Sequence, residues 1–223
     1  MYILLTDALT CPRCGPEFGL LVLSDRMEDR RVVEGSLGCA NCRSAYPIHH
    51  AAADLRVLPS AEESARPVPT NAVDEDAEAP VRLAALMGLS GASGLAMVHG
   101  PAARHAAAVS ALVPELEVVA VTDAPVPRAQ REPGVSRLAA GEALPFRGGA
   151  LRAAALTGGA GDALLREGLR VLAPGARLVV DPADAETAER LRGLGAEVLL
   201  EQEGVVVARA PGRPVALRYN AVR

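Results

Sequence analysis

The sequence predicts an α/β protein in two parts: a small four-cysteine ribbon, then a mostly parallel sheet covered by helices and closed by an antiparallel hairpin. Three observations carry this. The only four cysteines form two C-x-x-C pairs, Cys11/Cys14 and Cys39/Cys42, in the first quarter of the 223 residues. From residue 81 onward, short apolar runs alternate with Ala- and Leu-rich helical stretches, the pattern of a parallel sheet with crossover helices. The last two apolar runs, 197–200 and 204–208, are separated only by Glu201-Gln202-Glu203, which reads as a hairpin.

Half of the chain is apolar, aromatics are only 2% and Trp is absent, so the core must be aliphatic. All 23 basic residues are Arg. The lack of Lys excludes a lysine nucleophile or Schiff base. A net charge of −4 with interspersed signs argues against a broad nucleic-acid footprint and leaves only a local Arg patch. No stretch approaches the roughly 20 apolar residues that span a bilayer. Residues 1–9 contain Asp7 and lack a basic flank or cleavage pattern, so they do not read as a secretory signal. A cytoplasmic protein is expected, and there paired cysteines read as metal ligands before disulfides.

In the first part, a C-x-x-C on a tight turn points two thiolates at one ion. Two such turns give tetrahedral coordination by four thiolates, which suits zinc. Pro12 and Gly15 fit the first turn and Asn41 the second. Residues 20–23 and 31–37 read as strands with a turn at 25–29. Four thiolates leave no open position, so the predicted site is structural, and the metal supplies folding energy that about 60 residues lack. The alternative is four reduced cysteines without metal. His49 and His50 are further candidate ligands, but beside four cysteines they read better as an exposed turn.

Leu9-Thr10-Cys11-Pro12-Arg13-Cys14, Leu37-Gly38-Cys39-Ala40-Asn41-Cys42, Ala45-Tyr46-Pro47-Ile48 and Asp54-Leu55-Arg56-Val57-Leu58 together resemble the small zinc-binding activator of tRNA, rRNA and release-factor methyltransferases. The resemblance covers residues 1–59, with a closing apolar strand expected after Asp54. It departs at 49–53, where the family has a glycine-containing turn. It implies a protein-binding role, adding a strand to a methyltransferase sheet, and the natural first partner is the rest of this chain. A further protein subunit is a second expected partner.

Residues 60–80, with Pro67, Pro69, Pro80 and the run Asp74-Glu75-Asp76-Ala77-Glu78, read as an acidic linker. In residues 81–223 the expected elements are a helix at 82–89, a strand at 95–98, a helix at 102–112 and strands at 117–122, 135–138 and 151–156. A helix at 161–172, ended by Pro174-Gly175, leads to a strand at 176–180, a helix at 185–194 and the hairpin.

Leu165-Arg166-Glu167-Gly168-Leu169-Arg170-Val171-Leu172-Ala173-Pro174-Gly175, the loop Glu142-Ala143-Leu144-Pro145-Phe146 and the closing hairpin resemble class I S-adenosylmethionine-dependent methyltransferases, whose fold is Rossmann-like. The resemblance implies cofactor contacts at a glycine turn after the first strand and at acids after the second and third. Here the turn is His99-Gly100-Pro101-Ala102, with one glycine and a proline that removes an amide. Asp123 and Glu142 are the surviving acids, while Ala140 and Arg152 stand where the family has aspartates. Only residues 123–134, with three prolines, join the second and third strands, so the usual helix there is expected to be missing or vestigial. His99 and His105 fall where a general base would sit, but read better as ordinary polar residues at a helix start. Arg104 reads as solvent-facing or as an anion contact.

These losses on one face lead to the expectation of a zinc-binding, non-catalytic protein-binding or scaffold subunit, with the ribbon docked in cis. The rival is an active methyltransferase whose S-adenosylmethionine site uses Gly100, Asp123 and Glu142. A third reading, an RNA-binding accessory, lacks the aromatics for base stacking.

Overall fold

The computed structural model describes residues 1–57, 78–91, 93–124 and 132–212. Strands β1 (Leu21–Glu28), β2 (Arg31–Gly38), β3 (Ala45–His49) and β4 (Ala52–Asp54) form an antiparallel meander. Strands β5 (Gly94–His99), β6 (Leu116–Thr122), β7 (Val135–Ala139), β8 (Leu151–Thr157) and β9 (Leu172–Asp181) run parallel, and β10 (Glu197–Gln202) and β11 (Val205–Arg209) form a hairpin antiparallel to β9. All eleven join one sheet in the order β1-β2-β3-β4-β7-β6-β5-β8-β9-β11-β10. The architecture is therefore Rossmann-like: mixed α/β, with a mostly parallel centre and a C-terminal antiparallel hairpin.

The seam between the two parts is β4 against β7. They pair in parallel, Ala52 to Arg137 and Asp54 to Ala139, and the Leu55 amide continues the ladder to the Ala139 carbonyl at 2.8 Å. A buried ion pair pins the seam. Arg31 of β2 meets both Glu117 oxygens at 2.8 Å and donates to the Val135 carbonyl at 2.8 Å. Ser136 donates to Glu117 at 2.6 Å and accepts from the Tyr2 amide at 2.9 Å.

Side chains alternate across the pleat, so each central strand feeds two cores. Ala96, Val98, Val118 and Ala120 face helices α1 (Ala79–Met87) and α2 (Ala106–Leu112), meeting Leu83, Met87 and Val109. Met97, Val119, Val121 and Leu138 face the other way, toward α3 (Asp162–Val171) and α4 (Thr187–Gly193) and the N-terminal part. The crossover from β7 to β8, residues 140–150, carries no helix. Its place on that face is filled by Leu5, Leu9, Leu37, Ile48 and Phe146, all fully buried in the same cluster. The ribbon is thus part of the sheet's own core.

Several expected boundaries move. β1 continues to Glu28, and its turn is Asp29-Arg30, both with positive φ. The expected exposed turn at 49–53 contracts to His50-Ala51, also both at positive φ, because Ala52 and Ala53 are buried in β4. The closing strand expected after Asp54 ends there instead; residues 55–57 are not strand and residue 58 lies outside the described residues. The helix expected at 102–112 begins as a 3-10 turn, Pro101–His105, with Pro101 in its first position. Helix α3 stops at Val171, before Pro174-Gly175, which fall inside β9 where its register with β8 shifts. Ala79 and Pro80, expected in the linker, open α1; the rest of the linker before Glu78 lies outside the described residues. So does most of the segment between β6 and β7.

Candidate metal centre and carboxyl-end crevice

The two C-x-x-C turns are built alike. In each, the residue after the second cysteine turns back and donates its amide to the first cysteine's carbonyl: Gly15 to Cys11 and Arg43 to Cys39, both at 2.9 Å. Both closing residues need positive φ, 93° at Gly15 and 60° at Arg43. Glycine adopts this freely; the arginine is the more strained solution. The knuckles face each other. Cys11 Sγ lies 3.7 Å from Cys42 Sγ and Cys14 Sγ 3.8 Å from Cys39 Sγ, with all four ligand atoms within 4.8 Å of one another. These gaps are far beyond a disulfide bond of about 2.05 Å. Sulfurs at tetrahedral corners about 2.3 Å from a central zinc stand about 3.8 Å apart. The residues therefore fit a four-thiolate zinc ion.

Without a cation, thiols this close compete for protons. The Ser44 hydroxyl and amide pull Cys42 down to about 6. The Asn41 amide acts downward on Cys14, but desolvation and the neighbouring thiols outweigh it and push Cys14 up to about 12. A bound metal ends this competition by deprotonating every ligand. The two candidate histidines point elsewhere. His49 Nδ1 lies 3.0 Å and His50 Nδ1 3.6 Å from Glu34, which also accepts the His50 amide at 3.1 Å. The His49 hydrogen bond, first, holds the Glu34 carboxyl below its usual range. Among the described residues, the four cysteines are the one group gathered with metal-ligand spacing.

The second site is the crevice at the carboxyl ends of the parallel strands, where the order reverses beside β5. Gly100, Asp123 and Glu142 follow β5, β6 and β7, so the fold puts all three at that end, with both acids exposed. The turn itself is closed on its own backbone. Gly100 donates to the Val121 carbonyl at 2.9 Å and Ala103 to the Gly100 carbonyl at 3.0 Å. Ala102 donates to Thr157 Oγ1 at 2.9 Å, and Pro101 has no amide. Thr157 in turn donates to the His99 carbonyl at 2.6 Å. No amide at positions 100–103 is left to meet a ligand. Gly100, at φ 82°, is required for packing: an added Cβ would stand 2.1 Å from the Thr157 carbonyl oxygen. A cavity of about 530 Å³ opens at the opposite, amino ends of β5 and β6, between Tyr2, Arg31 and Glu117; none of the crevice residues lines it.

His99 and His105 do not share the crevice mouth. His105 is buried at the start of α2 at 7% exposure, and Arg104 beside it is exposed. His99 Nδ1 is buried without a partner, and burial, opposed by Asp123, holds its pKa below the usual 6.5. The unfolded chain therefore binds a proton that the folded chain refuses, so stability is present above about pH 6.5 and falls as pH drops through it. The urea midpoint should fall more between about pH 7.5 and 5.5 in the natural chain than in a His99→Gln variant; equal falls would remove His99 from the account.

Sequence reasoning missed Arg170. It is 5% exposed and donates to the carbonyls of Phe146 at 2.6 Å and Leu144 at 2.8 Å. Its partner Glu167, 2.6 Å from Nε, accepts the Leu144 amide at 2.9 Å. The clamped loop then pairs with the ribbon: the Thr10 amide donates to Pro145 at 3.0 Å and the Arg147 amide to Ala8 at 2.8 Å. The (i, i+3) spacing of Glu167 and Arg170 was visible, but nothing in it said that the pair is buried.

No family model and no curated protein matches the sequence. Solved structures do. The antibiotic-resistance methyltransferase Kmr shares 17% identity over 60% of this chain and 93% of its own, with a TM-score of 0.46. The Burkholderia thailandensis 1,6-didemethyltoxoflavin-N1-methyltransferase, solved with S-adenosylhomocysteine, shares 19% over 60% and 80%, at 0.47. A chain from the complex between the Haloferax volcanii Trm112 methyltransferase activator and a methyltransferase shares 14% over 60% and 90%, at 0.47. Among the described residues, no helix is long and apolar enough to cross a membrane.

Proposed function

We propose that this chain is a zinc-stapled, methyltransferase-like protein without methyl-transfer activity, serving as a protein-binding accessory or scaffold subunit. In this reading residues 1–59 are a zinc ribbon docked in cis on a second domain, residues 81–223, through β4 and β7. The observation that carries it is the Gly100–Ala103 turn, whose backbone donors are all used inside the protein. A cofactor carboxylate or ribose approaching β5 would find no amide to bind. The same seam occupies the ribbon's sheet-pairing edge, so the ribbon serves this chain rather than a separate enzyme.

Titration calorimetry of S-adenosylmethionine and S-adenosylhomocysteine into the zinc-loaded protein tests this. No binding at millimolar cofactor is expected; micromolar binding would overturn the scaffold reading. The rival, an active methyltransferase, draws on the exposed carboxylates Asp123 and Glu142 at neighbouring strand ends, and the same titration decides for or against it.

A further inference from the structure

We propose that Asn41, Ser44 and Tyr46 form a hydrogen-bonding collar that keeps the metal-bound thiolates unreactive, with hydrogen bonds guarding the sulfurs that burial does not. The inference rests on the zinc reading above. Four thiolates around one divalent ion leave excess negative charge on sulfur, and it is the thiolate that attacks electrophiles. A hydrogen bond to sulfur holds that charge in place, as outer partners do at metal sites generally.

The donors are distributed by need. Cys14 and Cys42 are half-exposed, Cys11 and Cys39 buried. Asn41 Nδ2 donates to Cys14 Sγ at 3.4 Å. The Ser44 hydroxyl lies 3.2 Å from Cys42 Sγ, where it donates once the sulfur is a thiolate. Thus each half-exposed sulfur has its own side-chain donor. Of the buried pair, Cys11 Sγ meets the Tyr46 hydroxyl at 3.3 Å. Cys39, 3% exposed, meets other cysteine sulfurs, Cys14 at 3.8 Å and Cys42, so burial is its protection.

The donors are also held. Ser44 is fixed by its carbonyl, which accepts the Cys39 amide at 2.9 Å. Tyr46 is 6% exposed and registered against Leu37. A phenol buried there needs a partner, and it has the Cys11 sulfur and the Ser44 side chain. Asn41 and Tyr46 both follow Cys39 in sequence but serve sulfurs of the first knuckle, so they brace the knuckles across the metal.

The test is zinc release from the full-length protein under hydrogen peroxide, followed with a chromogenic chelator. A thiolate attacks peroxide oxygen, the O–O bond breaks, and sulfur loses two electrons to become sulfenic acid while peroxide is reduced to hydroxide. A neighbouring thiolate then displaces a second hydroxide, forming a disulfide and freeing the zinc. Asn41→Ala and Ser44→Ala should release zinc several-fold faster than the natural chain. Ser44→Thr, which keeps the hydroxyl, should restore the natural rate, an effect that a merely structural role for Ser44 does not produce. Tyr46→Phe should raise the background loss of zinc to the chelator alone, yet leave the peroxide-dependent increment above that background nearly unchanged, because Cys11 is buried. Asn41 is exposed, so its variant keeps the fold. Natural rates in both Ala variants would overturn the collar while leaving the zinc reading intact; a purified natural chain without zinc would overturn both.

Discussion

A Cys39→Ser chain is expected to lose its metal and, with it, the folded N-terminal part. Serine at this position removes one of four thiolates and puts a hydroxyl in a site 3% exposed. Structural zinc in four-ligand sites contributes about 10–16 kcal/mol of apparent binding energy near neutral pH. Whole domains have only about 5–15 kcal/mol of net stability. The loss therefore exceeds what the ribbon can absorb, and unfolding, rather than a shifted midpoint, is the outcome. It should also spread. Leu9, Leu37 and Ile48 share one buried cluster with Val119, Leu138 and Phe146, so losing the ribbon exposes the part of that sheet face that α3 and α4 do not cover. Elemental analysis should give about one zinc per natural chain and none in the variant, with far-UV dichroism and urea unfolding reporting the fold. A Cys39→Ser protein that unfolds like the natural one, without metal, would sink the zinc reading.

Much of this arrangement could be read before any coordinates. The clustering of the paired cysteines was legible because two C-x-x-C turns impose their spacing directly on sequence, and the parallel strands because burial on both faces makes continuous apolar runs such as Val118-Val119-Ala120-Val121. The pieces that join the halves were not legible. Strand β4 is three residues, Ala52-Ala53-Asp54, too short to show a period, and small enough to look like a turn. Arg31 and Glu117 are 86 positions apart; each looks like an ordinary strand charge until the fold brings them together. The closed state of the Gly100 turn depends on Thr157, whose hydroxyl comes from another strand. Pro101 announced one lost amide and Ala103 closes a local turn on Gly100, but the Gly100 and Ala102 amides are lost through tertiary hydrogen bonds to Val121 and Thr157, which no local motif encodes.

This division explains how a Rossmann-like sheet can do without one of its usual covering helices. A parallel crossover normally carries a helix because the sheet face it crosses is apolar. Between β7 and β8 the chain supplies an eleven-residue loop instead, and the four-cysteine N-terminal part covers the share of that face that α3 and α4 leave open. The metal centre and the crevice are thus linked through residues 144–147, which touch the ribbon on one side and Arg170 on the other.

Arg170→Ala should therefore cost about 3–5 kcal/mol, the range seen when one partner of a buried ion pair is removed. The substitution leaves Glu167, with 17% of its side chain exposed, as an uncompensated carboxylate, and strips the Leu144 and Phe146 carbonyls of their donor. It also removes packing from a helix position that is otherwise well filled. The control is Arg166→Ala, on the exposed side of the same helix, expected to stay within about 0.5 kcal/mol of the natural chain. Urea unfolding of the zinc-loaded protein measures both. Adding Glu167→Gln to Arg170→Ala should recover part of the loss, because a neutral amide is less costly to bury than a lone carboxylate. If Arg170→Ala proved as mild as Arg166→Ala, the loop would be held by the ribbon alone, and the mechanical link between α3 and the cysteine knuckles would be wrong.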